Sequence, residues 1–77
     1  MTVTLARTRA TDADLARLKS FPKLRKLDLS STLITDAGLG HLKGLEQLET
    51  LTLTGTRVTN TGIADLQAAN PRVKILH

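Results

Sequence analysis

Leu27-Asp28-Leu29-Ser30-Ser31-Thr32-Leu33-Ile34-Thr35-Asp36-Ala37-Gly38-Leu39 returns 24 residues later as Leu51-Thr52-Leu53-Thr54-Gly55-Thr56-Arg57-Val58-Thr59-Asn60-Thr61-Gly62-Ile63. The same step taken backwards lands on Val3-Thr4-Leu5-Ala6-Arg7-Thr8-Arg9-Ala10-Thr11-Asp12-Ala13-Asp14-Leu15, so three units align. A fixed period of this length marks stacked supersecondary units, because one such unit cannot bury its own apolar side chains. The apolar columns are Val3, Leu27 and Leu51; Leu5, Leu29 and Leu53; Ala10, Ile34 and Val58; Leu15, Leu39 and Ile63; and Leu18, Leu42 and Leu66. Phe21 with Leu45, and Leu24 with Leu48, extend the set, and all are expected in the core.

Within each unit the apolar spacing changes. It is two at Leu27 and Leu29, which suits a short strand, and three through Leu39, Leu42, Leu45 and Leu48, which suits a helical or 3₁₀ turn. Thr11-Asp12, Thr35-Asp36 and Thr59-Asn60 stand between the two patterns, where an oxygen can accept the free N–H groups of a helix start. Asn70-Pro71 stops the third helix, and Val73-Lys74-Ile75-Leu76 follows as a further strand. The expected organisation is one domain over 1–77, with repeats at 3–26, 27–50 and 51–74 or 75 and a last strand at about 73–77. Two registers compete for that strand: Ile75 is 24 residues after Leu51, whereas Pro71-Arg72-Val73 copies Pro22-Lys23-Leu24 at an offset of 49.

Leu24-Arg25-Lys26-Leu27-Asp28-Leu29-Ser30-Ser31-Thr32-Leu33-Ile34 resembles the leucine-rich-repeat signature L-x-x-L-x-L-x-x-N/C-x-L, which also returns from Leu48 to Val58. Thr8, Thr32 and Thr56 stand where that family places Asn or Cys. Together with Ile34-Thr35-Asp36-x-Gly38-Leu39 this is similar to the threonine-bearing, 24-residue bacterial relatives of the ribonuclease-inhibitor-like and cysteine-containing subfamilies. The resemblance implies an α/β fold: a right-handed leucine-rich-repeat solenoid of three 24-residue strand–helix repeats, a short fourth C-terminal strand and a parallel concave sheet. It also implies recognition of a protein partner without shared chemistry.

At 77 residues the chain is one small domain, with 40% apolar residues and no cysteine, which excludes a disulfide framework, a thiol nucleophile and a Cys-based zinc site. No stretch is apolar enough for a membrane span, and Met1–Leu18 is too charged for a signal peptide, so a cytoplasmic location is favoured. His41 and His77 without a carboxylate trio make no metal set, Asp12, Asp14 and Asp36 read as helix-start carboxylates, and no phosphate loop or nucleophile elbow occurs. No cofactor and no catalysis are expected. The three threonines read as structural, each hydroxyl satisfying the turn between layers.

The net charge of +4 divides by repeat as +3, 0 and +1. Arg17, Lys19, Lys23, Arg25 and Lys26 form a run that would meet phosphates, but no aromatics or Gly-rich loops interleave with it. A solvated face is preferred over a nucleic-acid site. Arg25 and Glu49 share a column and are expected to pair, with Lys74 joining them if the last repeat is one residue longer.

Period-two alternation turns Thr2, Lys26 and Thr50, then Thr4, Asp28 and Thr52, to the concave face. Lys26, Asp28 and Thr52 are candidate partner contacts there, although a surface without Trp or Tyr lacks strong anchors. The turn after each strand offers Arg9, Leu33 and Arg57, an apolar residue between two arginines, as the stronger candidate patch. The first repeat lacks a distinct polar cap, so Val3, Leu5 and Leu15 are expected to form an open edge. That edge predicts either the C-terminal piece of a longer array or cover by self-association. An interaction module is thus the first reading, an assembly element the second and a basic nucleic-acid accessory the third.

Overall fold

The computed structural model describes residues 2–21 and 23–77. Among them four short strands, β1 (Thr2–Thr4), β2 (Lys26–Asp28), β3 (Thr50–Thr52) and β4 (Lys74–Leu76), form one parallel sheet in chain order. Between them run α1 (Asp12–Arg17) with a 3₁₀ turn (Leu18–Ser20), α2 (Asp36–Leu42) and α3 (Asn60–Ala69). Parallel neighbours need a crossover, and each crossover here is one of these helices. The helices differ in length, α1 spanning 6 residues. α3 spans 10 residues with Ala64, Ala68 and Ala69, whereas α2 contains Gly38 and Gly40 and ends after 7.

The strands pair at the repeat offset, with Val3 opposite Leu27, Leu27 opposite Leu51, and Leu51 opposite Ile75. This settles the last strand: Lys74 lies opposite Thr50, and so does not join the Arg25–Glu49 column. Val73 is nevertheless buried like Leu24 and Leu48. Both sequence offsets are therefore satisfied, because the chain takes up one extra residue before Val73 and shortens the gap between Val73 and the strand.

Leucines of the middle repeat make the core. Leu27, Leu29, Ile34, Leu39, Leu42, Leu45 and Leu48 are all buried, as are Leu51, Leu53 and Leu66 from the next repeat. The outer layers are less complete, with Val3, Leu5, Val58, Ile63 and Ile75 partly buried against that cluster. Two expectations change for the same reason. Phe21 shares the backbone pattern of Leu45, its N–H donating to Leu18 O as Leu45 N–H does to Leu42 O, yet Phe21 is 41% exposed and Leu45 2%. Thr32 is buried, whereas Thr8 is exposed and Thr56 half-buried. At these two columns the side chain is fully buried only in the middle repeat, which has a layer on either side.

Candidate functional site

Each of the first three strands leaves the sheet through a left-handed residue: Arg7 at φ 60°, Ser31 at φ 56° and Gly55 at φ 74°. This conformation reverses the chain at once and is comfortable only for glycine. It is held across repeats by Arg7 N–H to Ser30 O and Ser31 N–H to Thr54 O, both at 2.8 Å. One residue later the threonine hydroxyls donate back to the strand ends, Thr8 to Leu5 O and Thr32 to Leu29 O at 2.6 Å and Thr56 to Leu53 O at 2.7 Å. The Thr column therefore braces each turn, from inside at the buried Thr32.

The next position emerges from this braced turn. Leu33 N–H donates to Ala10 O at 3.1 Å and Arg57 N–H to Ile34 O at 2.9 Å, so Arg9, Leu33 and Arg57 stand in adjacent layers. All three are exposed, Leu33 by 46%. The Leu33 and Arg57 backbones are fixed by cross-repeat bonds, and all three side chains face water.

A second ladder follows immediately. Asp12 accepts from Thr35 N–H at 2.8 Å and from its hydroxyl, and Asp36 accepts from Thr59 N–H at 2.7 Å and from its hydroxyl. Asp12 and Asp36 stand in the first turn of their own helices, as expected. Their side chains also reach the start of the next helix, one repeat on. Close approach explains two glycines, because a Cβ on Gly38 would lie 2.3 Å from Asp12 Oδ1 and one on Gly62 2.2 Å from Asp36 Oδ1. In the first repeat the matching residue is Asp14, whose Oδ2 accepts from Thr11 N–H at 2.9 Å. Asp14 thus does within one helix turn what a neighbouring repeat's Asp does elsewhere. The recurrence of Asp in one repeat with Gly two positions further on in the next was the available sequence signal.

On the concave sheet Lys26 is exposed and Thr52 half-buried. Asp28 turns back to its own loop, accepting from Ser30 N–H at 3.0 Å and from the Ser30 hydroxyl. The hydroxyl first and the N–H second hold the Asp28 carboxyl below its ordinary range. Arg25 and Glu49 form the expected ion pair at 3.0 Å, and Lys43 pairs with Asp65 at 2.6 Å. At the end face Val3 and Leu5 are half-buried, but Leu15 is fully buried under α2 and belongs to the core, not to an open edge. A groove lined by Leu5, Thr8, Ala10, Asp14, Arg17 and Leu18 remains on that face. No helix among the described residues is long and apolar enough to cross a membrane.

A family model described as leucine rich repeat matches residues 1–58. Among solved structures, a chain in the structure of the Chaetomium Mex67:Mtr2 subunits is similar at 28% identity and a TM-score of 0.81, over 97% of this chain and 52% of that one. The present chain therefore spans about half the length of the solved chain it matches. No curated protein matches it.

Proposed function

This chain belongs to the leucine-rich-repeat family, and from that premise we propose that it is a non-enzymatic module binding a protein partner through the turn edge of Arg9, Leu33 and Arg57. The observation that carries this reading is the exposure of Leu33 between two arginines on a backbone fixed from both sides. Binding energy comes mainly from large side chains that become desolvated, and ordering a pre-fixed loop costs little. An arginine stem covers apolar surface while its guanidinium donates in pairs. The concave sheet, with Thr2, Lys26, Thr50 and Thr52, supplies mostly small hydroxyl groups and acts as a flanking contact. The similar solved chain comes from an assembly of two proteins, which agrees with a protein partner. We read the threonine column as marking the 24-residue bacterial type of repeat.

With a captured partner, Arg57→Ala and Leu33→Asp weaken binding more than Thr52→Ala, at unchanged thermal stability. Equal effects, or a larger one at Thr52, would move the site to the sheet.

The half-buried Val3 and Leu5 favour a second reading, association through the strand side of the first repeat. In that case the light-scattering mass rises with concentration and Leu5→Lys suppresses the rise. A concentration-independent monomer removes this reading.

A further inference from the structure

Six of the seven acidic side chains are occupied at home, Glu46 being the exception among the described residues. Asp12, Asp14, Asp28 and Asp36 hold threonine or serine groups of the chain itself, and Glu49 and Asp65 hold Arg25 and Lys43. Of the eleven cationic side chains, only Arg25 and Lys43 form ion pairs among the described residues, and the remaining nine are exposed. The fold thus consumes most of its negative charge and leaves most of its positive charge outward. Arg7 sharpens the point. It occupies the left-handed column where Gly55 sits in the third repeat, a place that costs a non-glycine residue energy, and it adds a guanidinium beside Arg9.

We propose that the partner segment docked on the Arg9–Leu33–Arg57 edge is an acidic amphipathic helix, with an apolar side chain seated on Leu33 and carboxylates on the flanking arginines. This rests on the reading of the edge as the partner site. Adjacent parallel strands lie about 4.8 Å apart, so Arg9 and Arg57 are about 10 Å apart at the backbone. A helix carries residues i and i+7 about 10.5 Å apart on one face, with i+3 and i+4 between them. An acid, an apolar residue and a second acid at those places match the edge in order and spacing. A nucleic-acid strand fits less well, because stacking needs aromatic platforms and the sole aromatic residue, Phe21, follows the 3₁₀ turn and not the edge.

The probe is a labelled alanine-based helical peptide with Glu at i and i+7 and Leu at i+4, titrated by fluorescence anisotropy at low salt. Arg57→Ala and Leu33→Asp are expected to weaken binding at least about tenfold, and Lys19→Ala in the 3₁₀ turn less than about twofold. Replacing both glutamates of the peptide by lysine abolishes binding. The proposal is overturned if the peptide does not bind, if Lys19→Ala weakens it as much as Arg57→Ala, or if a single-stranded DNA oligomer binds the edge more tightly. If a natural partner still depends on Arg57 and Leu33 while the acidic peptide fails, the acidic helix alone is wrong. If the partner is indifferent to both substitutions, the edge reading itself falls.

Discussion

Asp36 reaches out of its own repeat to hold Thr59 twice, through the backbone N–H at 2.7 Å and through the hydroxyl. Asp12 does the same for Thr35. These carboxylates tie consecutive helix starts together in addition to the strand ladder, so the first three repeats are joined at two separate places. That double attachment is what lets short helices and three-residue strands present a defined surface.

Asp12→Ala removes both acceptors of Thr35 at once. A charged acceptor lost from partly buried donors costs about 1–3 kcal/mol, which urea unfolding would read directly. Asp14→Ala should cost less, because it removes one bond from a helix at the end of the stack. A loss at Asp12 below about 0.3 kcal/mol would mean that water replaces the carboxylate without penalty.

Acid should loosen the same ladder. The Thr59 hydroxyl, and then its N–H, hold the Asp36 carboxyl below its ordinary range, as Ser30 does for Asp28. A folded-state value below the unfolded one gives stabilisation that is present above about pH 3.9 and is lost as pH falls through the lower, folded value. Urea midpoints should therefore be flat between about pH 7 and 5 and drop below about pH 4. Asp36→Asn should make that drop shallower. Identical pH profiles for the two proteins would show that Asp36 does not couple to folding.

Two glycines of one helix should respond oppositely to alanine. At Gly38 the new Cβ meets Asp12 Oδ1 at 2.3 Å and Leu15 Cδ1 at 2.9 Å, so Gly38→Ala displaces the carboxylate and costs more than about 1 kcal/mol. At Gly40 nothing lies within 4 Å, and Gly40→Ala should stabilise by about 0.5–1 kcal/mol. Thermal melts of the two variants would separate the effects. Equal shifts would place the Asp12 contact elsewhere.

Position in the stack should scale the cost of core truncation. Leu51 is 0% exposed between β2 and β4, so Leu51→Ala should cost about 2–5 kcal/mol. Val3, in the same column but half-buried on the outer strand, should cost clearly less when cut to alanine. Comparable losses at the two sites would mean that the first layer is covered as well as the central one.

The sequence by itself determined the repeat, its strand-then-helix order and the buried columns, because Leu27, Leu51 and their partners recur with a period that admits one stacking. It also placed Arg9, Leu33 and Arg57 side by side, since equal offsets in a parallel stack become neighbours. Tertiary structure decided what depends on having a layer on each side. Identical columns diverge at the ends, so that Leu45 is buried and Phe21 is not, and Thr32 is buried while Thr8 is exposed. It also decided where the carboxylates point. A side chain at a helix start has its own N–H groups and those of the next repeat within reach, and only the actual stacking distance chose Thr35 for Asp12 and Thr11 for Asp14.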